Sequence, residues 1–357
     1  MKKTTVLILI LASLPLITKA QAGLDTLQLH TIFAEPYLAG KRPAFDNFYP
    51  DQKGIFFTWN DSAMSKDETF KVGFRRMNVE TVPDTLNTNY QVSPDRKSVV
   101  YSRNSDIWRA NQNFRNAKKI VSSKEQEYNP VWSPDGKQIA YIQDGDVWVT
   151  RVNEAGLSQV TDKKAGDPGY NILGWASNDR LVLEQYDRSD MKEYYFPEYM
   201  HKYVRPGETK RGIGEEVITV ATLDSVHVDT LFAGDSYVNV DISQDGKYVA
   251  LDRTGPPMKH RSIDVFNLDE LEATTVFQDS TKGWIYGRGM KFAPEGHKLM
   301  FESEQSGWNH IYTVNPDGSG LKQWTHGAFE VPWVDWRSDK EMVFASTEGG
   351  ARRASTL

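Results

Sequence analysis

Short runs of apolar residues recur along the chain, and each is launched by a tight polar turn. The third copy shows the unit most completely: Trp132-Ser133-Pro134-Asp135-Gly136 leads into Ile139-Ala140-Tyr141-Ile142, then Gln143-Asp144-Gly145-Asp146, then Val147-Trp148-Val149. Pro134 presets φ at the first corner, Asp135 can bond its own downstream backbone, and Gly136 supplies positive φ. The flanking β-branched and aromatic residues fit a pleated, buried surface, so the segment predicts a β-hairpin. The same order appears as Ser93-Pro94-Asp95, Val99-Val100-Tyr101, Ile107-Trp108, and as Ala293-Pro294-Glu295-Gly296, Leu299-Met300-Phe301, Ile311-Tyr312.

Seven copies of the turn, with acidic residues at Asp51, Asp95, Asp135, Asp179, Asp245, Glu295 and Asp339, make the chain a repeat array. Strand-rich units repeating every 40 to 50 residues or so are the signature of β-propeller blades, which bury their faces only against neighbours. The predicted fold is therefore an all-β propeller of about seven blades. After Asp339 the strand Glu341-Met342-Val343-Phe344-Ala345 opens a blade for which no Ile-Trp or Ile-Tyr partner strand follows. A sheet left half built has an unpaired edge, so the last blade is expected to be incomplete and the chain a truncated product.

The 10 Trp, 16 Tyr and 16 Phe among 357 residues supply ample apolar mass for one large domain. A balance of 42 basic against 48 acidic residues, net −6, gives no electrostatic case for nucleic acid or an anionic membrane surface. The chain has no cysteine, which excludes disulfides, thiol chemistry and zinc-thiolate sites. The seven histidines, His30, His201, His227, His260, His297, His310 and His326, form no metal-ligand spacing, so no metal or other cofactor is expected.

The N-terminus reads differently. Lys2 and Lys3 precede an apolar stretch from Val6 to Ile17, and Ala20-Gln21-Ala22 offers small residues for signal peptidase. The stretch falls short of the roughly 20 residues that span a bilayer, so residues 1–22 are expected to be a cleaved export signal rather than an anchor. Cleavage is placed after Ala22, with Ala20 as the other candidate. The mature chain, residues 23–357, is expected in a periplasm or outside the cell.

In the last third, Ser303-Glu304-Gln305-Ser306-Gly307-Trp308-Asn309-His310-Ile311-Tyr312, followed by Gln323-Trp324-Thr325-His326-Gly327 and Glu330-Val331, resembles the late propeller blades of dipeptidyl peptidase IV-like enzymes of the prolyl oligopeptidase family. With the turns, the resemblance covers roughly residues 45 to 347. It implies a propeller of usually eight blades ahead of an α/β-hydrolase domain, the two enclosing a cavity where short peptides are cut, with homodimerisation of the full-length enzyme as a further option. On that basis about one blade and the catalytic domain would lie beyond Leu357.

The sequence offers no catalytic residue. An α/β-hydrolase needs its serine on a Gly-x-Ser-x-Gly turn, and the nearest approach, Gly234-Asp235-Ser236-Tyr237-Val238, lacks the second glycine. The family's Glu-Glu pair, which holds the substrate's amino group, falls between the strands matching Val147-Trp148-Val149 and Leu173-Gly174-Trp175, where this chain has only Thr161 to Gly169 and no such pair. The resemblance then implies another exopeptidase or oligopeptidase specificity. Glu215-Glu216 reads as an exposed strand end ahead of Val217-Ile218-Thr219-Val220.

The longest step, Asp179 to Asp245, carries an aromatic and charged insertion. A long insertion in a compact repeat is usually functional or disordered, and this much tyrosine argues against disorder. Tyr194, Tyr195, Glu198, Arg205, Glu215 and Glu216 are the candidate lining of a substrate cavity; a packed loop covering a blade edge stands as the equal alternative. Two functions follow: the non-catalytic, gating and substrate-selecting propeller of an exported serine peptidase, or a free-standing propeller similar to TolB that binds a protein partner, with the Ile311 to Ser319 hairpin in the style of that family.

Overall fold

The computed structural model describes residues 42–60, 67–82, 86, 88–154, 156–187, 197–198, 202–203, 214–225, 227–234, 236–255, 258–285, 289–350 and 353–356. The expected signal segment, residues 1–22, lies outside them. The chain forms two compact units, residues 1–120 and 121–357.

The first unit holds two sheets of up-and-down antiparallel strands. One is β1 (Ala44–Phe48), β2 (Gly54–Trp59), β3 (Glu68–Gly73) and β4 (Val79–Thr81); the other is β5 (Gln91–Val92), β6 (Ser98–Arg103), β7 (Asp106–Asn111) and β8 (Lys118–Val121), which runs to the unit boundary. Phe56 and Tyr90 from the two sheets meet edge to face within an apolar layer that includes Val99 and Tyr101.

The second unit continues the pattern. Its first sheet is β9 (Glu127–Trp132), β10 (Gln138–Gln143), β11 (Asp146–Arg151) and β12 (Leu157–Gln159). The next pairs β13 (Tyr170–Trp175), β14 (Arg180–Asp187), β17 (Glu215–Thr222) and β18 (His227–Gly234), with the short pair β15 (Pro197–Glu198) and β16 (Lys202–Tyr203) inserted between β14 and β17. Then come β19 (Tyr237–Ile242), β20 (Tyr248–Gly255), β21 (His260–Asn267) and β22 (Glu272–Ser280), followed by β23 (Met290–Phe292), β24 (Leu299–Ser303), β25 (His310–Val314) and β26 (Lys322–Gln323). The last sheet has three strands, β27 (Trp333–Ser338), β28 (Glu341–Ser346) and β29 (Arg353–Thr356). Each sheet is a blade of a β-propeller, about seven in all, as the repeat predicts.

One expectation needs correction. A partner for the last hairpin does arrive: β29 pairs with β28 through Val343 and Thr356, Phe344 and Ser355. Arg353-Ala354-Ser355-Thr356 pairs with the backbone of β28 without an Ile-Trp or Ile-Tyr signature. The blade still has three strands, not four, among the described residues.

The turns do what their residues predict. Ser133 Oγ donates to Asp135 Oδ1 at 2.8 Å, Asp135 Oδ1 accepts Lys137 N at 3.0 Å, and Ser133 Oγ accepts Gln138 N at 2.9 Å. Ser93, Asp95, Lys97 and Ser98 repeat this set, as do Ser243, Asp245, Lys247 and Tyr248. The hydroxyl donated by Ser93 holds the Asp95 carboxyl below its usual range. The fourth turn residue needs positive φ, 69° at Gly136 and Gly246; where Arg96 stands there it adopts 59°.

Neighbouring blades of the second unit share apolar layers, such as Ile142, Val149 and Val160 with Trp175, Leu181 and Leu183, and Val265, Val276 and Phe277 with Phe292, Phe301 and Tyr312. Polar ties span the same seams. Trp175 Nε1 donates to Val131 O at 3.1 Å and Trp336 Nε1 to Lys291 O at 3.0 Å, both from one first strand to the preceding one.

Candidate functional site

Three hairpins join the second and third strands of consecutive blades: Asp187 to Glu215, Gly255 to His260, and Ser303 to His310. Up-and-down topology places these at one end of their blades. The large insertion hangs from the first, closed by the Asp187–Glu215 pair and by Gly214 N donating to Tyr186 Oη at 2.9 Å.

The sequence candidates fall out unevenly. Tyr194, Tyr195 and Arg205 lie outside the described residues, and of Glu198 only its backbone place in β15 is described. Glu215 is exposed at the start of β17, as expected. Glu216 is not: it is buried, and its Oε2 accepts Val238 N of the next blade at 2.9 Å. The alternation of β17 turns Glu215 and Glu216 to opposite faces, which is why reading them as one exposed strand end fails for the second. Burial and the neighbouring Glu184, with which it shares a hydrogen bond, push the Glu216 carboxyl up to about 8. Glu184 Oε2 in turn accepts Asn171 Nδ2 at 3.1 Å.

The second hairpin carries two crossed Arg–Asp pairs. On one face Arg261 Nε and Nη2 bind Asp252 at 2.7 and 2.8 Å, and Arg261 Nη1 donates to Glu302 O of the next blade at 2.5 Å. On the other, Arg253 Nε binds Asp264 at 2.7 Å, and its guanidinium lies 4.8 Å from the centre of the Phe232 ring of the preceding blade. The β20–β21 hairpin is thus fastened to both neighbours. Over it opens a polar cavity of about 680 Å³, walled by residues that include Arg253, His260, Ser262, Gln278, Asp279 and Gln305. None of these was singled out from sequence. The available signal was Asp252-Arg253 and Arg261 with Asp264 interrupting runs that otherwise read as strand core.

The third hairpin holds the family-like string, and its residues serve packing. His310 is buried: Nε2 donates to Gly327 O at 3.1 Å and Nδ1 accepts from Thr325 Oγ1 at 3.0 Å, while Thr325 Oγ1 accepts Ile311 N at 3.1 Å. Asn309 Nδ2 donates to Glu302 Oε1 at 2.9 Å and Val331 O at 2.6 Å, and Asn309 N donates to Glu330 Oε2 at 3.0 Å. Asn309 and His310 of the Gly-Trp-Asn-His string, Thr325 and Gly327 of Thr-His-Gly, and the Glu330-Val331 pair are therefore the parts of one latch, whereas Trp308 is 42% exposed. A related arrangement recurs three blades earlier, where Thr161 Oγ1 accepts Val147 N at 2.9 Å and donates to Asp146 at 2.8 Å.

Ser236 sits in a tight bend after β18, its N–H bonded to Gly234 O at 3.0 Å, and leads into a strand rather than a helix. It has none of the strand-to-helix geometry of a hydrolase nucleophile. Among the described residues no group of three or more metal-ligating side chains converges.

The sequence profile of the dipeptidyl peptidase IV N-terminal region matches residues 109–355. Among solved structures, Porphyromonas gingivalis dipeptidyl peptidase 4 superposes with a TM-score of 0.63 at 16% identity, over 88% of this chain and 51% of its own. A Bacteroides ovatus protein described as a dipeptidyl aminopeptidase IV gives 0.57 at 13%, over 88% and 52%. An oligogalacturonate lyase solved with manganese gives 0.52 at 9%, covering 88% of each chain. No curated protein matches the sequence. These identities speak for the fold alone, and the chain spans about half the length of the two dipeptidyl peptidase structures.

Proposed function

Since this chain belongs to the dipeptidyl peptidase IV N-terminal region family, we propose that it is the non-catalytic propeller of an exported serine exopeptidase or oligopeptidase, and that it gates the approach of short peptides to a catalytic α/β-hydrolase domain. The observation that carries this is the profile match over 109–355, which contains the whole Asn309, His310, Thr325 and Glu330 latch. Residues 1–22 direct export. In this reading Tyr194, Tyr195, Glu198 and Arg205, carried on the insertion between Asp187 and Gly214, contact the peptide together with Glu215. Glu216 is withdrawn from that role by its burial and its bond to Val238 N.

The propeller selects by size and by the few polar groups at its blade ends, while bond cleavage belongs to the hydrolase domain. Purified residues 23–357 are therefore expected to bind short peptides yet leave aminoacyl and peptidyl chromogenic substrates intact. Turnover that a serine-directed phosphonate abolishes would place a nucleophile in this chain and overturn the assignment.

A further inference from the structure

The cavity over the β20–β21 hairpin, about 680 Å³, is of the size that takes small ligands and peptide ends. Its wall offers mostly donors: the guanidinium of Arg253, the imidazole of His260, the hydroxyls of Ser236 and Ser262 and the amides of Gln278 and Gln305 face a single carboxylate, Asp279. The other arginine, Arg261, is spent, since all three of its nitrogens bind Asp252 or Glu302 O.

Arg253 is not spent. Its Nε and Nη2 engage Asp264, but that carboxylate also receives the hydroxyls of Ser262 at 3.1 Å and Thr275 at 2.6 Å. Arg253 Nη1 has no partner among the described residues. A half-buried guanidinium with a free N–H edge holds a carboxylate by charge-assisted hydrogen bonds better than any other side chain. His260 adds an exposed donor at the mouth, and the residue paired with it, Gly255, has no side chain to close the gap.

A second cavity of about 160 Å³ adjoins the first, sharing Arg261, Asp279, Ser280 and Gln305 and adding Trp284, Ile285 and, on its own side, the carboxylate of Glu304. Trp284 is 68% exposed, an unusual cost for an indole unless something packs on it. A charged site thus stands beside an aromatic wall, the arrangement that an α-carboxylate and the side chain next to it would fill.

We propose that the joined cavities hold the C-terminal end of a short peptide, the α-carboxylate on Arg253 and His260 and the last side chain against Trp284. This rests on the peptide-selecting reading above, and it makes the free C-terminus the feature by which the propeller recognises a short substrate.

Calorimetric titration of the full chain with Ala-Ala-Phe, and with the same tripeptide amidated at its C-terminus, tests it. The free acid is expected to bind at least tenfold more tightly than the amide, and Arg253→Gln to reduce that ratio below twofold. Where Arg253→Gln costs the fold, the paired variant Arg253→Gln/Asp264→Asn keeps the local charge balanced and is expected to show the same loss. His260→Ala, at an exposed position, is expected to weaken the acid severalfold and leave the amide unchanged. Equal affinity for acid and amide overturns the carboxylate site and leaves peptide selection standing. Binding of neither overturns both.

Discussion

Arg261 grips Asp252 with both arms of its guanidinium, at 2.7 and 2.8 Å, and neither side chain is more than 1% exposed. The pair lies diagonally across the β20–β21 hairpin, where Thr254 stands opposite Arg261 and Asp252 opposite Ile263. Phe277 and Phe301 lie 5.9 and 5.8 Å from the guanidinium carbon, so the charges sit in an aromatic seam between blades. Removing one partner strands the other without water. Arg261→Met and Asp252→Asn are each expected to lower stability by about 3 to 5 kcal/mol, read from urea midpoints. The double variant Arg261→Met/Asp252→Leu should recover most of it, and additive losses would mean the pair is not the coupled unit.

Glu216 gives a pH signature whose sign follows from its raised pKa. Free in an unfolded chain it titrates near its ordinary value of 4.5, whereas in the fold burial and Glu184 carry it to about 8. The folded state therefore holds a proton that the unfolded state gives up. The stabilising contribution is complete below about pH 4.5 and is lost as pH rises through 8. Glu216→Gln keeps an oxygen for Val238 N and removes the titration. Compared with the parent, it should show a flatter dependence of urea midpoint on pH between 5 and 8 and greater stability above 8; parallel profiles would count against the buried proton.

The difference between Glu215 and Glu216 marks what the sequence could express. Turns and strands were legible because Ser133, Asp135 and Gly136 encode a local hydrogen-bond set, and a local set repeats visibly. The blade count was legible for the same reason. Which face a lone carboxylate occupies depends on strand register against β14, and no residue near Glu216 states it. The crossed Arg–Asp pairs were hidden likewise, since their partners meet only when the hairpin closes. His310 stands in the Ser303–Tyr312 string that the sequence displays, but its binding to Thr325 and Gly327 needed the fold.

Gly246 tests the seam between turns on the opposite ends of the blades. Its φ of 69° is one that a side chain adopts at a cost of about 1 to 2 kcal/mol. Worse, a Cβ there would lie 1.4 Å from Ala176 O, a backbone atom of the preceding blade that no rotamer change can move. Gly246→Ala is expected to destabilise by more than 3 kcal/mol on these two counts. Gly318→Ala, at a φ of 81° and with its nearest neighbour, Thr274 Cγ2, at 3.9 Å, should cost only the first amount. Thermal melts of the two variants compare them directly, and equal shifts would mean the seam yields.

The latch around His310 fixes a tautomer. Gly327 O can only accept, so Nε2 carries the proton, and Nδ1 is left to take the hydroxyl hydrogen of Thr325, whose oxygen is then open to Ile311 N. Nitrogen-15 shifts of His310 should report the Nε2–H form. Thr325→Val keeps the shape but leaves both Nδ1 and Ile311 N without a partner in a buried place, for an expected loss of about 1 to 3 kcal/mol. Thr325→Ser retains the hydroxyl and should recover most of that loss, and a shift in the tautomer of Thr325→Val toward a mixture would show that the threonine, not the carbonyl alone, sets the ring. The same substitution at Thr161, where Asp146 takes the place of the histidine, is expected to cost at least as much, because there the hydroxyl also serves a carboxylate.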